Sequence, residues 1–106
     1  MFYVYMLRCK DNSIYTGYTT NIKRRYSEHL GKYKRGAKYT HSRIPVSIAA
    51  LWETDSKSSA MKLEYFIKKL SKQQKEELII NNDLVSTKYE ERLYGNVYEP
   101  VDYEDC

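Results

Sequence analysis

Residues 2–29 read FYVYMLRCKDNSIYTGYTTNIKRRYSEH, and this stretch decides how the fold begins. Residues 2–9 are rich in aromatic and β-branched types and are almost continuously apolar as far as Leu7, which is typical of a strand buried on both faces. Residues 10–13 have turn chemistry, and residues 14–19 predict a second strand. The stretch therefore predicts a β-hairpin whose first strand lies at the centre of a sheet.

The length of the hairpin loop determines which side chains share a face of the sheet. A two-residue loop at 11–12 would put Tyr5 and Tyr15 on opposite faces. A three-residue loop at 10–12, with Asn12 left-handed, would instead set Tyr5 opposite Gly17 and make the two tyrosines diagonal neighbours on one face. We favour this second register because asparagine tolerates the left-handed conformation. Gly17 would then leave open space beside the Tyr5 ring.

A basic helix is predicted after the hairpin, with Thr20 or Asn21 as its N-cap and Gly31 as its end. Arg25 and His29 are four residues apart, so they should lie together along one edge of this helix. Its apolar stripe consists of Ile22, Tyr26 and Leu30.

The pattern after residue 45 predicts a third strand and two more helices. Alternating apolar residues from Val46 to Trp52 indicate the strand. A helix should follow from about residue 57 to 70, capped by Asp55 or Ser56, with Glu64 at the edge of its buried face. A serine and a glutamine three residues apart, Ser71 and Gln74, predict a capping box for a helix over 72–80.

Charge is distributed unevenly along the chain. Residues 1–92 carry a net charge of +8, whereas residues 93–106 carry −4. Basic residues are densest in residues 23–43, where three tyrosines are interleaved with one acid and eight cations: Lys23, Arg24, Arg25, Lys32, Lys34, Arg35, Lys38 and Arg43. Basic density with interleaved aromatic residues is the electrostatic pattern of a nucleic-acid-binding protein.

Composition excludes several other classes of protein. The chain has 106 residues, enough for one domain with one modest core. Two cysteines do not make a disulfide framework, and no apolar run approaches the ~20 residues that span a bilayer. Because the first residues already resemble a strand and not a signal peptide, we expect a cytoplasmic protein with no membrane association.

Two short strand motifs are followed by isolated residues at fixed distances. The motifs are Tyr3-Val4-Tyr5 and Tyr15-Thr16-Gly17, and Arg25 lies ten residues after Tyr15. His29 comes four residues later, and Glu64 lies on a later helix. In this order the sequence resembles the GIY-YIG nuclease family, and especially its small single-domain bacterial members, over about residues 2–80. Tyr3 replaces the first glycine of the family name and Thr16 replaces the isoleucine.

The resemblance implies an α+β fold with a three-stranded antiparallel sheet flanked by three or more helices. The GIY-YIG-like domain would cover residues 1–82. Residues 83–106 would form a C-terminal extension, acidic and mobile from residue 99.

The resemblance also implies a metal-dependent endonuclease that hydrolyses phosphodiester bonds in DNA, with branched or single-stranded DNA as candidate substrates. Tyr5 would accept a proton from the attacking water, helped by Tyr15 or His29, and Arg25 would bind the phosphate. Glu64 would hold one Mg²⁺ or Mn²⁺ ion, with no small-molecule cofactor. Nucleic acid would contact the basic residues Lys23, Arg24, Lys34, Arg35, Lys38 and Arg43.

Two other classes of function stay open, as does the oligomeric state. A nucleic-acid-binding module could keep the fold without hydrolysis, and a protein–protein adaptor could use the tyrosine-rich surface. Each candidate residue also has an ordinary interpretation: Arg25 could be solvated, and Glu64 could only pair with Lys68 across one helical turn.

Overall fold

The computed structural model describes residues 1–34 and 45–103, with side chains described as far as His29 and again from Pro45. The described elements are β1 (Phe2–Cys9), β2 (Ile14–Thr19), α1 (Ile22–Lys34), β3 (Pro45–Thr54), α2 (Lys57–Lys68), α3 (Lys72–Ile80), a 3₁₀ helix (Asn82–Ser86) and β4 (Glu99–Pro100). None of the described helices is long and apolar enough to cross a membrane.

The sheet is antiparallel and has the strand order β2-β1-β3-β4. The predicted α+β class is confirmed, but the prediction of three strands is wrong. The fourth strand comes from the C-terminal extension, where Glu99 and Pro100 pair with Glu53 and Trp52. A two-residue strand that contains proline has no alternating pattern, so only its tertiary pairing reveals it.

The hairpin has the predicted register. Tyr5 lies opposite Gly17, and Leu7 lies opposite Tyr15. Asn12 is left-handed, with φ of 69°, and its amide donates to the Cys9 carbonyl at 2.9 Å. The Cys9 amide in turn donates to the Ser13 carbonyl at 2.9 Å, which closes the three-residue loop. Tyr5 and Tyr15 therefore share one face of the sheet.

Strand β1 separates two clusters of buried side chains. On one face lies the main core, which α2, α3 and the C-terminal extension cover. On the other face lies a smaller second core against α1, formed by Tyr5, Leu7, Tyr26 and Leu51. The buried members of the main core are Val4, Met6, Ala50, Trp52, Ala60, Leu63, Phe66, Ile67, Leu78, Val85, Tyr89, Leu93 and Tyr98. The prediction that β1 is buried on both faces is confirmed.

Capping residues start α2 and α3 as predicted. The Ser56 hydroxyl accepts from the Ser59 amide at 3.1 Å, and Ser71 forms the capping box with Gln74. The predicted end of α1 is wrong, because the helix continues through Gly31 to Lys34. Glycine in a helix interior costs only about 1 kcal/mol, which does not by itself end a helix.

The C-terminal extension is part of the main core. The Tyr98 hydroxyl donates to the Ser59 carbonyl at 2.7 Å, and burial raises the pKa of Tyr98 to about 12. The Thr54 hydroxyl donates to the Val97 carbonyl at 2.9 Å, and the Val101 amide donates to the Leu51 carbonyl at 2.8 Å. A domain boundary at residue 82 and mobility from residue 99 stay predictions.

An ion pair joins the hairpin to α3. Arg8 donates to both Glu76 carboxylate oxygens at 2.6 Å, and Lys72 lies 3.2 Å from the same carboxylate. Lys72 also donates to the Asn12 carbonyl in the hairpin loop. The hydrogen bonds from Arg8 and Lys72, together with their positive charges, lower the pKa of Glu76 to about 2.

Candidate active site

Tyr5 occupies the centre of the candidate site because of its position on β1 and the glycine opposite. Its side chain is only 1% exposed. A Cβ added at Gly17 would lie 2.7 Å from Tyr5 Cζ and closer still to the hydroxyl oxygen. Only glycine at this position lets the Tyr5 ring lie across β2, as the register predicted.

Helix α1 brings two polar side chains to the Tyr5 hydroxyl. Arg25 Nε donates to the hydroxyl oxygen at 3.4 Å, and His29 Nε2 lies 3.2 Å from the same oxygen. The two residues reach one atom because side chains four apart on a helix lie one above the other. Both distances are long for hydrogen bonds, and contacts of this kind often shorten when a substrate binds.

Tyr15 and His29 extend the cluster toward solvent. Their ring centroids are 4.9 Å apart with the rings inclined at 63°, an edge-to-face arrangement. The Tyr5 and Tyr15 centroids are 6.3 Å apart. Tyr15 is 44% exposed, so the cluster runs from a buried tyrosine to an accessible one.

Glu64 on α2 supplies the carboxylate of the candidate site. Its side chain is 22% exposed, and one oxygen lies 3.6 Å from Lys68 Nζ, the pair that helical spacing predicts. Glu64 is also close enough to Tyr5 for its negative charge to raise the pKa of that hydroxyl. In the described part of the chain, no three His, Cys, Asp or Glu side chains come together as a metal-binding group. A single carboxylate suits a hard cation such as Mg²⁺, which keeps several of its waters.

Burial raises the pKa of Tyr5 above its ordinary value, and the neighbouring Tyr15 and Glu64 add to this effect. The hydrogen bond from Arg25 and its positive charge oppose the rise. The Tyr5 hydroxyl is therefore protonated at neutral pH. Since its oxygen accepts from Arg25, its own proton can point to His29 Nε2, if the imidazole is neutral with its proton on Nδ1.

Comparison with known proteins gives the family. The GIY-YIG catalytic domain model matches residues 1–77. The chain belongs to the GIY-YIG family. The UPF0213 protein SH2523 of Staphylococcus haemolyticus is 53% identical over 78 residues, which are 73% of this chain and 92% of that protein. The UPF0213 protein CPE1444 of Clostridium perfringens is 41% identical over 93 residues, which are 88% of this chain and 98% of that protein.

The comparison with solved structures finds a further UPF0213 protein. The solution NMR structure of BH0048 from Bacillus halodurans is 45% identical in sequence, with a TM-score of 0.49. The match covers 87% of this chain and 94% of that one.

Family membership confirms the resemblance and places the chain in a nuclease family. The two motifs that name the GIY-YIG family lie side by side on β1 and β2, where Tyr5 faces Gly17. Residues beyond 77 lie outside the matched range, although they complete the main core.

The basic residues predicted to bind nucleic acid are only partly described. Lys23 and Arg24 are exposed on α1, next to Arg25. Lys34 ends α1, but its side chain lies outside the described residues, as do Arg35, Lys38 and Arg43. Arg25 also pairs with Glu28 at 3.4 Å. A nucleic-acid-binding role for these six residues stays a prediction.

Proposed function

We propose that this GIY-YIG chain is a metal-dependent endonuclease that hydrolyses phosphodiester bonds in DNA. The observation that carries the proposal is the Tyr5 hydroxyl, which lies within hydrogen-bonding distance of Arg25 and His29. Phosphodiester hydrolysis needs a proton acceptor for the attacking water, positive charge for the phosphate oxygens and help for the leaving oxygen. The side chains of this cluster and Glu64 can supply the first two and hold a cation for the third.

The Tyr5 hydroxyl accepts the proton of the attacking water by passing its own proton to His29. Its raised pKa means that tyrosinate is scarce at neutral pH, so Tyr5 alone would be a weak base. In the relay, the Tyr5 proton moves to His29 Nε2 while the tyrosine oxygen takes a proton from water. The net result is a hydroxide equivalent that attacks phosphorus and an imidazolium at His29, and histidine is a common general acid and base in catalysis.

Arg25 stabilises the negative charge that develops in this reaction. Its hydrogen bond to the Tyr5 oxygen favours the charged form of the tyrosine. Its remaining guanidinium nitrogens can donate to phosphate oxygens, which guanidinium groups bind in a bidentate manner. The weak contact with Glu28, at 3.4 Å on the surface, does little to hold the guanidinium away from a phosphate.

Glu64 would hold the divalent cation. The residues fit such an ion, since the carboxylate is partly exposed and close to Tyr5, and its competing cation Lys68 is 3.6 Å away. When bound, Mg²⁺ or Mn²⁺ would supply positive charge to the phosphate and to the leaving oxygen. Arg25, His29 and Tyr5 would then act on the water and the phosphate as described.

The charge distribution favours nucleic acid as the substrate. Residues 1–92 carry a net charge of +8, and exposed Lys23 and Arg24 lie on the same helix as Arg25. A chain that neutralises phosphates in this way binds DNA in a salt-dependent manner.

The second candidate function is a DNA-binding module without hydrolysis. One observation favours it, namely that burial raises the pKa of the proposed base, Tyr5.

The test is a cleavage assay with the full chain on labelled single-stranded, flapped, branched and duplex DNA, and on single-stranded RNA. We expect cleavage of at least one DNA shape with Mn²⁺ or Mg²⁺ and none with EDTA. Glu64→Ala should abolish cleavage, whereas Glu77→Ala, an exposed glutamate on α3, should not change it.

Cleavage that survives Glu64→Ala would overturn the metal assignment. Salt-dependent binding without cleavage of any substrate would select the non-hydrolytic module.

A further inference from the structure

A second cleft lies on the main-core side of the molecule, away from Tyr5. It is a cavity of about 300 Å³ where α2, the start of α3 and the C-terminal extension meet. This volume is at the lower end of the range for small-ligand pockets, which is about 300–1,000 Å³. We call it the α2 groove and define it by Lys62, Tyr65, Phe66, Lys69, Tyr89 and Arg92.

The α2 groove is positively charged. Lys62, Lys69 and Arg92 line it, and none of the described residues that line it is acidic. Three cations at one concave surface, with no carboxylate among the described residues that line it, favour an anionic ligand.

The groove also carries aromatic rings with cations beside them. Tyr65 is 62% exposed, and Lys69 Nζ lies 4.5 Å from its ring centroid. Phe66 and Tyr89 meet edge to face, with centroids 4.9 Å apart, and Arg92 Cζ lies 5.5 Å from the Phe66 centroid. Aromatic rings combined with lysine and arginine form the surface on which proteins bind the bases and phosphates of single strands.

The C-terminal extension builds one wall of this groove. Tyr89 and Arg92 lie beyond residue 77, where the match to the GIY-YIG catalytic domain ends. Tyr89 is buried in the main core, so the extension holds Arg92 in place through the same packing that stabilises the fold. The matched domain therefore supplies the α2 side of the groove, and the wall that carries Tyr89 and Arg92 lies outside the matched range.

We propose that the α2 groove binds single-stranded nucleic acid, with an unpaired base stacked on Tyr65 and phosphates on Lys62, Lys69 and Arg92. A single strand fits better than a duplex, because the bases of a duplex are stacked on each other and cannot reach an aromatic ring. A single strand also fits better than an acidic peptide, because Tyr65 offers a ring that a base can stack on.

The position of the groove relates it to the candidate active site. Tyr65 follows Glu64 directly on α2, about 100° further around the helix at 3.6 residues per turn. Tyr65 therefore lies on the exposed surface of α2, beside the partly buried edge that carries Glu64. A strand in the groove could continue along this helix toward Glu64. The inference goes beyond the proposed endonuclease, since binding in the groove does not require hydrolysis.

The test measures binding in EDTA, where metal-dependent cleavage cannot occur. Fluorescence anisotropy of a labelled oligothymidine at low salt should show about tenfold weaker binding for Tyr65→Ala, as expected for loss of one stacked base. Arg92→Gln should weaken binding and reduce the salt dependence by about one phosphate contact.

Two matched variants control for loss of an exposed tyrosine or a cation elsewhere. Tyr94→Ala removes a tyrosine that is 81% exposed and lines a different cleft. Lys57→Gln removes an exposed lysine at the start of α2. Both should bind oligothymidine as the wild-type chain does. Ultraviolet crosslinking of an iodouridine-containing oligonucleotide should label the peptide that carries Tyr65.

Three results would overturn the proposal. One is wild-type affinity for Tyr65→Ala, and another is an equal loss of affinity for duplex and single strand. The third is an oligoglutamate peptide that displaces oligothymidine and binds in a Tyr65-dependent manner, which would make the occupant an acidic protein segment. Failure of the cleavage assay leaves this proposal intact, and wild-type binding by Tyr65→Ala leaves the Tyr5 site intact.

Discussion

The two faces of β1 differ in size and in chemistry. Among the described residues, the main core contains thirteen buried side chains, including Val4 and Met6, whereas the second core contains four. The second core holds the Tyr5 hydroxyl with Arg25 and His29 beside it, and Tyr15 opens it to solvent. The main core can supply most of the stability, so the second face can keep polar groups that would weaken a purely apolar core. We infer that β1 separates the main core from the cluster of Tyr5, Arg25 and His29, which Glu64 approaches from α2.

The largest expected effect on stability comes from the main core. Leu78 is fully buried and is the one buried residue of α3. Leu78→Ala should lower the free energy of unfolding by about 2–5 kcal/mol, since it leaves a cavity in a packed core. Urea denaturation measures this loss. If the two faces are separate, cleavage per folded molecule should stay at the wild-type value at low temperature. A fully folded Leu78→Ala protein without activity would contradict the separation.

A smaller loss of stability should follow from crowding the second face. Gly17→Ala places a Cβ against the Tyr5 ring and should cost about 1–3 kcal/mol, the usual effect of overpacking. Cleavage should also fall, because Tyr5 must shift away from Arg25 and His29.

A double-mutant cycle with Tyr5→Phe sharpens this prediction. Removal of the hydroxyl, the closest atom to the added Cβ, should make Gly17→Ala less costly. If the two substitutions have additive effects on the free energy of unfolding, the contact is not the cause.

The smallest expected effect is the acid sensitivity of the Arg8–Glu76 ion pair, which lies on the main-core side. The folded-state pKa of Glu76, about 2, is below the value of 4.5 for a free glutamate. The pair should therefore stabilise the protein above pH 4.5, and this contribution should disappear as pH falls toward 2. We expect a loss of about 1 kcal/mol, because Glu76 is partly exposed.

Denaturation between pH 5 and pH 2 measures this contribution against matched variants. Glu76→Gln should remove that part of the pH dependence, and Glu77→Gln, at an exposed neighbouring position, should retain it. Identical pH profiles for the two variants would show that the ion pair does not stabilise the fold.

Local chemistry made much of the fold predictable from the sequence. The loop at 10–12 with Asn12 specified the hairpin register, and serine caps specified the starts of α2 and α3. Tertiary packing determined the rest. Strand β4, with two residues, is too short to show an alternating pattern. The ion-pair partners Arg8 and Glu76 are 68 positions apart in the sequence, so no local pattern relates them. Gly31 signals a helix end by propensity, a weak preference that α1 overrides.

The sequence predicted which side chains of the candidate site lie together, but it did not predict the raised pKa of Tyr5. The hairpin register placed Tyr5 beside Tyr15, and helical spacing placed Arg25 beside His29. The raised pKa of Tyr5 depends on how deeply its ring is buried and on the distance to Glu64, which periodicity does not reveal. The α2 groove was missed because its extension residues have no regular spacing. The sequence signal was Tyr65, which has a lysine three residues before it and another four residues after it.

The most direct test of the proton-transfer role of Tyr5 compares it with a second tyrosine on the same face of β1. Tyr3 and Tyr5 are two residues apart, and Tyr3 packs at the edge of the second core. With Mn²⁺ and a cleaved DNA substrate, Tyr5→Phe should reduce the cleavage rate at least about a hundredfold, as expected for loss of a proton-transfer group. Tyr3→Phe should cleave at close to the wild-type rate, and both variants should unfold at similar urea concentrations. Equal cleavage by Tyr5→Phe and the wild-type chain would show that the Tyr5 hydroxyl does not transfer the proton.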